Sequence, residues 1–303
     1  MDPGIDDAWA LTVICALKRL KGVSTVAGNV PLDNTFGNAR RVLGVLGVDN
    51  APVLPGAEGP LMSRLITAKA FHGDKGLGEW EGDIAPVSPH TPRVWSWWDD
   101  HAQELTTSHL IATGPLTNLA IGALAFPRLT DTWRSVTCMC GALPGAQVDK
   151  AQEFNIYVDP HAADIVFHWV KRLRLIGINV AHRALIPVSD LARLERYGRV
   201  GQMLSGMLQF YSERSRGEGG DPGAFPIDDV VAVAAVAEPD LFSWQELPLA
   251  VVREGPLRGT VVVSPIDLNR QPVRVAVDVD VHGFREWLWD AMSAFAASAS
   301  TPL

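Results

Sequence analysis

Apolar and polar positions alternate along this chain in two rhythms. The first run, Ala8 to Leu17, is apolar almost without interruption and long enough for a helix. Val23-Ser24-Thr25-Val26-Ala27 follows as a buried strand ending at Gly28-Asn29, then a helix over 33–46 with Asn38, Arg40 and Arg41 on its polar side, then a short strand at Pro52-Val53-Leu54. From His72 to Pro92 the pattern gives way to Gly, Pro and charge, which predicts a long loop. A helix over 95–105, a strand over 109–113, a helix from Leu116 and a strand over 135–139 come next. Pro160 suits the first position of a further helix, and Leu173-Arg174-Leu175-Ile176-Gly177 reads as a strand. Helices from Val188 and Gly201 lead into a Gly- and Pro-rich stretch, 216–226, and a helix over 227–237. Short strands at 250–252, 259–263 and 273–277 precede a closing helix from Phe284 to about Ala297. Alternating helices and strands without a linker predict one α/β domain spanning 1–303. Its central sheet is mostly parallel and flanked by helices, with a small antiparallel excursion near the C-terminus.

Several polar residues interrupt the pattern at one kind of place. Asp2, Asn29, Thr113 and Glu153 sit just after strand-like runs, at or before a helix start, where open α/β sheets form their ligand crevice. Composition narrows the partners. A formal charge of −8 with no Lys/Arg-rich run argues against nucleic-acid and anionic-membrane surfaces. No apolar stretch reaches a membrane span, and the N-terminus has no signal-peptide pattern, so a cytoplasmic protein is expected. Three cysteines, two of them in Cys138-Met139-Cys140, make no disulfide framework and read as buried free thiols.

The densest chemistry is at the start, Met1-Asp2-Pro3-Gly4-Ile5-Asp6-Asp7. Acids are favoured at a helix N-terminus by about 0.3–1 kcal/mol each. That is too little to hold Asp2, Asp6 and Asp7 together once partly buried, because like charges raise one another's pKa. A cation between them is the natural remedy, and oxygen-only ligands indicate a hard one, Ca²⁺ or Mg²⁺. The Pro-Gly turn fixes the carboxylates' directions.

Asp2-Pro3-Gly4-Ile5-Asp6-Asp7-Ala8 resembles the N-terminal fingerprint of the calcium-dependent nucleoside hydrolases, typified by the inosine-uridine-preferring enzymes. Further matches follow in family order: Gly28-Asn29-Val30, His72-Gly73-Asp74-Lys75-Gly76-Leu77-Gly78, Ala112-Thr113-Gly114-Pro115-Leu116-Thr117-Asn118, Glu153-Phe154-Asn155 with Asp159-Pro160, and Ile227-Asp228-Asp229-Val230. The resemblance implies Ca²⁺ held by Asp2, Asp7, Asp229 and the backbone carbonyl of Thr113. It implies a ribose gripped by Asp6, Asn29, Glu153 and Asn155, and a loop that brings His72 towards the nucleobase or ribose. Alternation along the chain places Glu153 and Asn155 on one face with Phe154 on the other. Gln147 stands where the family has an Asn on the ribose. Asp228 replaces a His that, in the inosine-uridine-preferring members, helps protonate the leaving base; either His72 or Tyr211 takes over that task, or the substrate leaves without such help. The family also has a hydrophobic strand ending in a further Asp ahead of Asp2. Met1 falls between the two aspartates, which suggests an internal Met; a chain beginning there would lack a sheet strand and leave Asp2 on a frayed terminus.

The implied activity is hydrolysis of the N-glycosidic bond of ribonucleosides, with Asp2 as general base on a metal-bound water and Ca²⁺ as cofactor. The implied partners are a small ribonucleoside and further copies of the chain, as a homodimer or homotetramer. Two other readings compete with this one. One is a catalytically impaired nucleoside- or ribose-binding homologue on the same fold. The other is a metal phosphohydrolase, which lacks support because no Walker-type loop or Lys/Arg phosphate clamp is present.

Overall fold

The computed structural model describes residues 1–82, 91–143, 152–215, 223–264 and 270–298. Its strands are β1 (Val23–Thr25), β2 (Val53–Pro55), β3 (His109–Ala112), β4 (Ser135–Met139), β5 (Leu173–Ile176), β6 (Ile186–Pro187), β7 (Ala224–Phe225), β8 (Phe242–Leu247), β9 (Leu249–Val251), β10 (Val261–Val263) and β11 (Val273–Val279). The main sheet has the spatial order β3-β4-β5-β11-β8, with β3, β4, β5 and β11 parallel and β8 antiparallel at its edge. β1 and β2 form a separate parallel pair, β9 and β10 an antiparallel hairpin, and β6 and β7 a two-residue antiparallel pair.

The predicted elements are present, with local differences. The strand expected at 273–277 runs on to Val279 and lies in the main sheet beside β5, so the antiparallel excursion is the β9–β10 hairpin. β8, which sequence patterning misses, alternates poorly because it is an edge strand with exposed Ser243, Gln245 and Glu246. The helix expected over 95–105 breaks at His101 into Val94–Asp100 and Ala102–Leu105. The segment from Val188 is a 3₁₀ stretch, Val188–Tyr197, followed by the helix Gly198–Ser215.

Two helices decide where the chemistry goes. Ile5–Ala16 (Ile-Asp-Asp-Ala-Trp-Ala-Leu-Thr-Val-Ile-Cys-Ala) and Asp228–Ala237 (Asp-Asp-Val-Val-Ala-Val-Ala-Ala-Val-Ala) are apolar on nearly every face after their first turn. A helix of that kind has no solvent side and must lie inside the protein. They pack against each other, with Trp9, Leu11, Val13, Val230, Val231 and Val233 in one continuous core. A second core on the other side of the main sheet holds Leu119, Val166, Phe167 and Leu175. The two buried helices carry their Asp-Asp pairs at their N-termini.

Asp2 is not frayed. The α-ammonium of Met1 donates to the Ser24 carbonyl at 3.0 Å, and the Val26 N–H donates to the Met1 carbonyl at 3.0 Å, a parallel-strand pattern one residue long. Asp2 is fully buried. Beside Met1 a largely apolar groove of about 330 Å³ runs between β1 and β3, lined by Leu11, Ile14, Val23, Ser24, Leu110 and Ile111 among others.

Candidate active site

The turn Asp2-Pro3-Gly4 delivers the first carboxylate and starts the helix Ile5–Ala16. Asp7, at the third helical position, closes back on the turn by accepting the Gly4 N–H on Oδ2 at 2.9 Å, so it caps its own helix. Its Oδ1 accepts from Thr113 Oγ1 at 2.7 Å, which ties the helix to the end of β3. Asp2 Oδ2 accepts the Asn29 N–H at 2.7 Å. The Asn29 side-chain amide donates to the Asp2 carbonyl at 3.2 Å and lies 3.5 Å from Asp7 Oδ2. Two glycines make room for Asp2. A Cβ at Gly28 would collide with Oδ2 and one at Gly114 with Oδ1, so both strand-end turns must be bare where they flank the carboxylate.

The helix Asp228–Ala237 brings Asp229 to the same place. One carboxylate oxygen from each of Asp6, Asp7 and Asp229 lies within 4.8 Å of the others, a set that could hold a metal ion. Asp2 adjoins this trio, since its charge acts on both Asp7 and Asp229. Burial pushes the pKa values of Asp2, Asp6 and Asp229 well above the usual carboxylate range, and the neighbouring acids push them further. Asp7 is also raised by burial, but the Met1 ammonium, Gly4 N–H and Thr113 hydroxyl restrain it. Among the described residues, Asp2 Oδ1, Asp6 Oδ1 and Asp229 Oδ2 are buried without a hydrogen-bond partner. Buried carboxylate oxygens without partners are what a bound cation would satisfy, so this donor set fits a hard divalent ion.

The remaining sequence candidates surround this cluster, with different partners from those anticipated. Glu153 is the N-cap of the helix Phe154–Val158, not part of an extended segment that alternates faces. Its Oε1 accepts the Asn155 N–H at 2.7 Å, and its Oε2 accepts the N–H groups of Gly141 at 2.8 Å and Ile156 at 3.1 Å. Burial raises its pKa, with those three N–H groups opposing. Asn155 Nδ2 bridges the Thr113 carbonyl at 3.2 Å and the Met139 carbonyl at 3.0 Å, so the Thr113 oxygen already has one donor. His72 is buried, and its Nδ1 accepts the Ile5 N–H at 3.1 Å, which packs its loop onto the first turn of the helix Ile5–Ala16. Burial lowers its pKa to about 4. The Tyr211 ring lies 6.3 Å from the His72 ring, centroid to centroid. Gln147 lies outside the described residues.

Asp228, beside Asp229, points one oxygen at a residue that sequence reasoning did not single out: His182, whose Nε2 is 3.2 Å from Asp228 Oδ2. His182 follows the short helix Ile178–Ala181 at the C-terminal end of β5. That placement at a strand end was the signal available in the sequence; the surrounding Asn179-Val180-Ala181-His182-Arg183 forms no ligand spacing.

The family model described as inosine-uridine preferring nucleoside hydrolase matches residues 1–286. The chain belongs to this family. A pyrimidine-specific ribonucleoside hydrolase, RihA, from Photobacterium profundum is 34% identical over 97% of each chain, and its Escherichia coli counterpart is 33% identical over 97% of each. Among solved structures, a purine-preferring ribonucleoside hydrolase from Gardnerella vaginalis superimposes with a TM-score of 0.91 at 26% identity, covering 98% of this chain and 97% of that one. A plant nucleoside hydrolase, PpNRh1, superimposes with a TM-score of 0.89 at 29% identity, covering 97% of each. The protein is thus a ribonucleoside hydrolase, an enzyme that cleaves the N-glycosidic bond between base and ribose. In this nucleoside hydrolase the carboxylates come from both ends of the polypeptide and meet at the carboxyl ends of the sheet strands.

Proposed function

We propose that Asp2, Asp7, Asp229 and the Thr113 carbonyl hold a Ca²⁺ ion and that Asp2 is the general base. The observation that carries this reading is the cluster of buried carboxylates at two helix N-termini, with oxygens left unpartnered. When bound, the ion would lower the pKa of a coordinated water and orient the ribose hydroxyls. Asp2 then takes the proton as the water attacks C1′, and its Oδ2, fixed by the Asn29 N–H, leaves Oδ1 for that task. Asp6, Asn29, Glu153 and Asn155 bind the ribose, with Gln147 as a further contact. Negative charge around the ring stabilises an oxocarbenium-like sugar, as in glycoside hydrolysis generally.

Such a grip requires the 2′-hydroxyl, so ribonucleosides should be preferred over deoxyribonucleosides by on the order of 10⁴. The chain acts as a homodimer or homotetramer in the cytoplasm; no helix among the described residues is long and apolar enough to cross a membrane. The test is a reducing-sugar assay across inosine, adenosine, guanosine, uridine and cytidine, with and without EDTA. Ribose release that EDTA abolishes and Ca²⁺ restores is expected. Release that is indifferent to chelation refutes the metal assignment. The same assay ranks the bases, on which the pyrimidine-specific and purine-preferring relatives differ.

A further inference from the structure

We propose that His182, held by Asp228, donates the proton that lets the nucleobase leave; this rests on the reading of the ribose site given above. The argument begins with the other candidates. His72 has its Nδ1 committed to the Ile5 N–H, and burial holds its pKa at about 4, so it stays neutral and unable to give up a second proton at neutral pH. Asp228 commits its Oδ2 to His182 Nε2 at 3.2 Å, so it acts through that imidazole.

His182 has the opposite surroundings. Its side chain is 48% exposed where that of Asp228 is 15% exposed, so the imidazole is the solvent-accessible member of the pair and can exchange its proton with water. Burial disfavours its charged form, but the hydrogen bond and charge of Asp228, with Glu153 adding to them, outweigh this and raise its pKa. Asp228 Oδ2 fixes Nε2 and leaves Nδ1 as the nitrogen that can face a ligand. His182 is therefore the catalytic acid, and Asp228 a positioning residue that acts through it.

The step balances. As the C1′–N bond breaks, its electron pair moves onto the base, and a nitrogen or oxygen of the base takes the proton from His182. The attacking water gives its hydroxyl to C1′ and its proton to Asp2. Asp2 ends protonated and His182 neutral, and solvent exchange resets both.

The experiment compares His182→Ala, His182→Gln and Asp228→Asn with wild type on two substrates. One is the nucleoside that wild type cleaves best. The other is p-nitrophenyl β-D-ribofuranoside, whose phenolate leaves without being protonated. His182→Ala should lower kcat/KM on the nucleoside by about 10²–10⁴-fold, with a far smaller loss on the p-nitrophenyl riboside. Asp228→Asn should show the same selectivity more weakly, and His182→Gln should not rescue the nucleoside reaction. Equal losses on both substrates, or no loss on either, overturn the proposal. Failure of wild type to cleave even the p-nitrophenyl riboside would instead defeat the ribose site itself, and this proposal with it.

Discussion

The two Asp-Asp pairs look alike in sequence and differ in what the protein gives them. Asp6-Asp7 and Asp228-Asp229 each open a helix that is apolar throughout. Asp7 accepts hydrogen bonds from its own turn and from Thr113 and a longer one, at 3.5 Å, from the Asn29 amide, and the Met1 ammonium acts on it as well. Asp229 pairs with Asp7, but its Oδ2 is buried with no partner among the described residues, and the charges that act on it are those of Asp6, Asp7, Asp2 and Asp228. The fold itself therefore holds Asp7 in place, while Asp229 is brought in against repulsion. On the proposed reading, a bound cation would contribute most at the second helix, where Asp229 has the least support from the protein itself.

Four experiments would break or sharpen this contrast. The largest expected effect is on turnover: Asp2→Asn should lower kcat by about 10²–10⁴-fold while leaving the fold intact by circular dichroism. Unchanged turnover would remove Asp2 from the mechanism. The second concerns pH in the metal-free protein. Because burial and mutual repulsion raise the folded pKa values of Asp2, Asp6 and Asp229, the folded state binds more protons than the unfolded chain above about pH 4. Stability should therefore be highest near or below that pH as far as these groups are concerned. It should fall as pH rises through their elevated pKa values, and Ca²⁺ should abolish the fall. A metal-free Tm that does not vary with pH would show that the acids are not strained.

The third experiment separates the two pairs directly. In the presence of EDTA, Asp229→Asn should raise stability by about 1–3 kcal/mol because it removes an uncompensated buried charge. Asp7→Asn should lower stability by a similar amount, because an amide cannot accept both of the hydrogen bonds now made. Shifts of the same sign in denaturant titrations would erase the distinction. The smallest effect is expected for Thr113→Val, which keeps the backbone carbonyl but removes the hydroxyl that Asp7 accepts from. It should cost about 1–2 kcal/mol with little change in EDTA sensitivity.

Much of this architecture was legible before the structure. Period-two and period-3.6 patterns located β1, β3, β4, β5 and both central helices, since buried elements carry their signal in long apolar runs. The strand-end rule reached only Asp2, Asn29, Thr113 and Glu153; the proximity of Asp7 to Asp229 was legible through the family resemblance alone. Partners were harder to read. Nothing in Glu153-Phe154-Asn155 distinguishes an extended pair from a helix cap, because the outcome depends on three backbone N–H groups that arrive from Gly141, Asn155 and Ile156. β8 escaped notice because its outer edge has no partner strand among the described residues and retains polar side chains. His182 escaped because its meaning lies in Asp228, far along the chain and on another helix.

The two bare turns beside Asp2 have a practical consequence. A single methyl at Gly28 or Gly114 would occupy space that the Asp2 carboxylate already fills, so neither position can carry a fluorophore, a crosslinker or a grafted side chain for watching the site at work. Such a reporter belongs on open ground, at Met62 or Leu257.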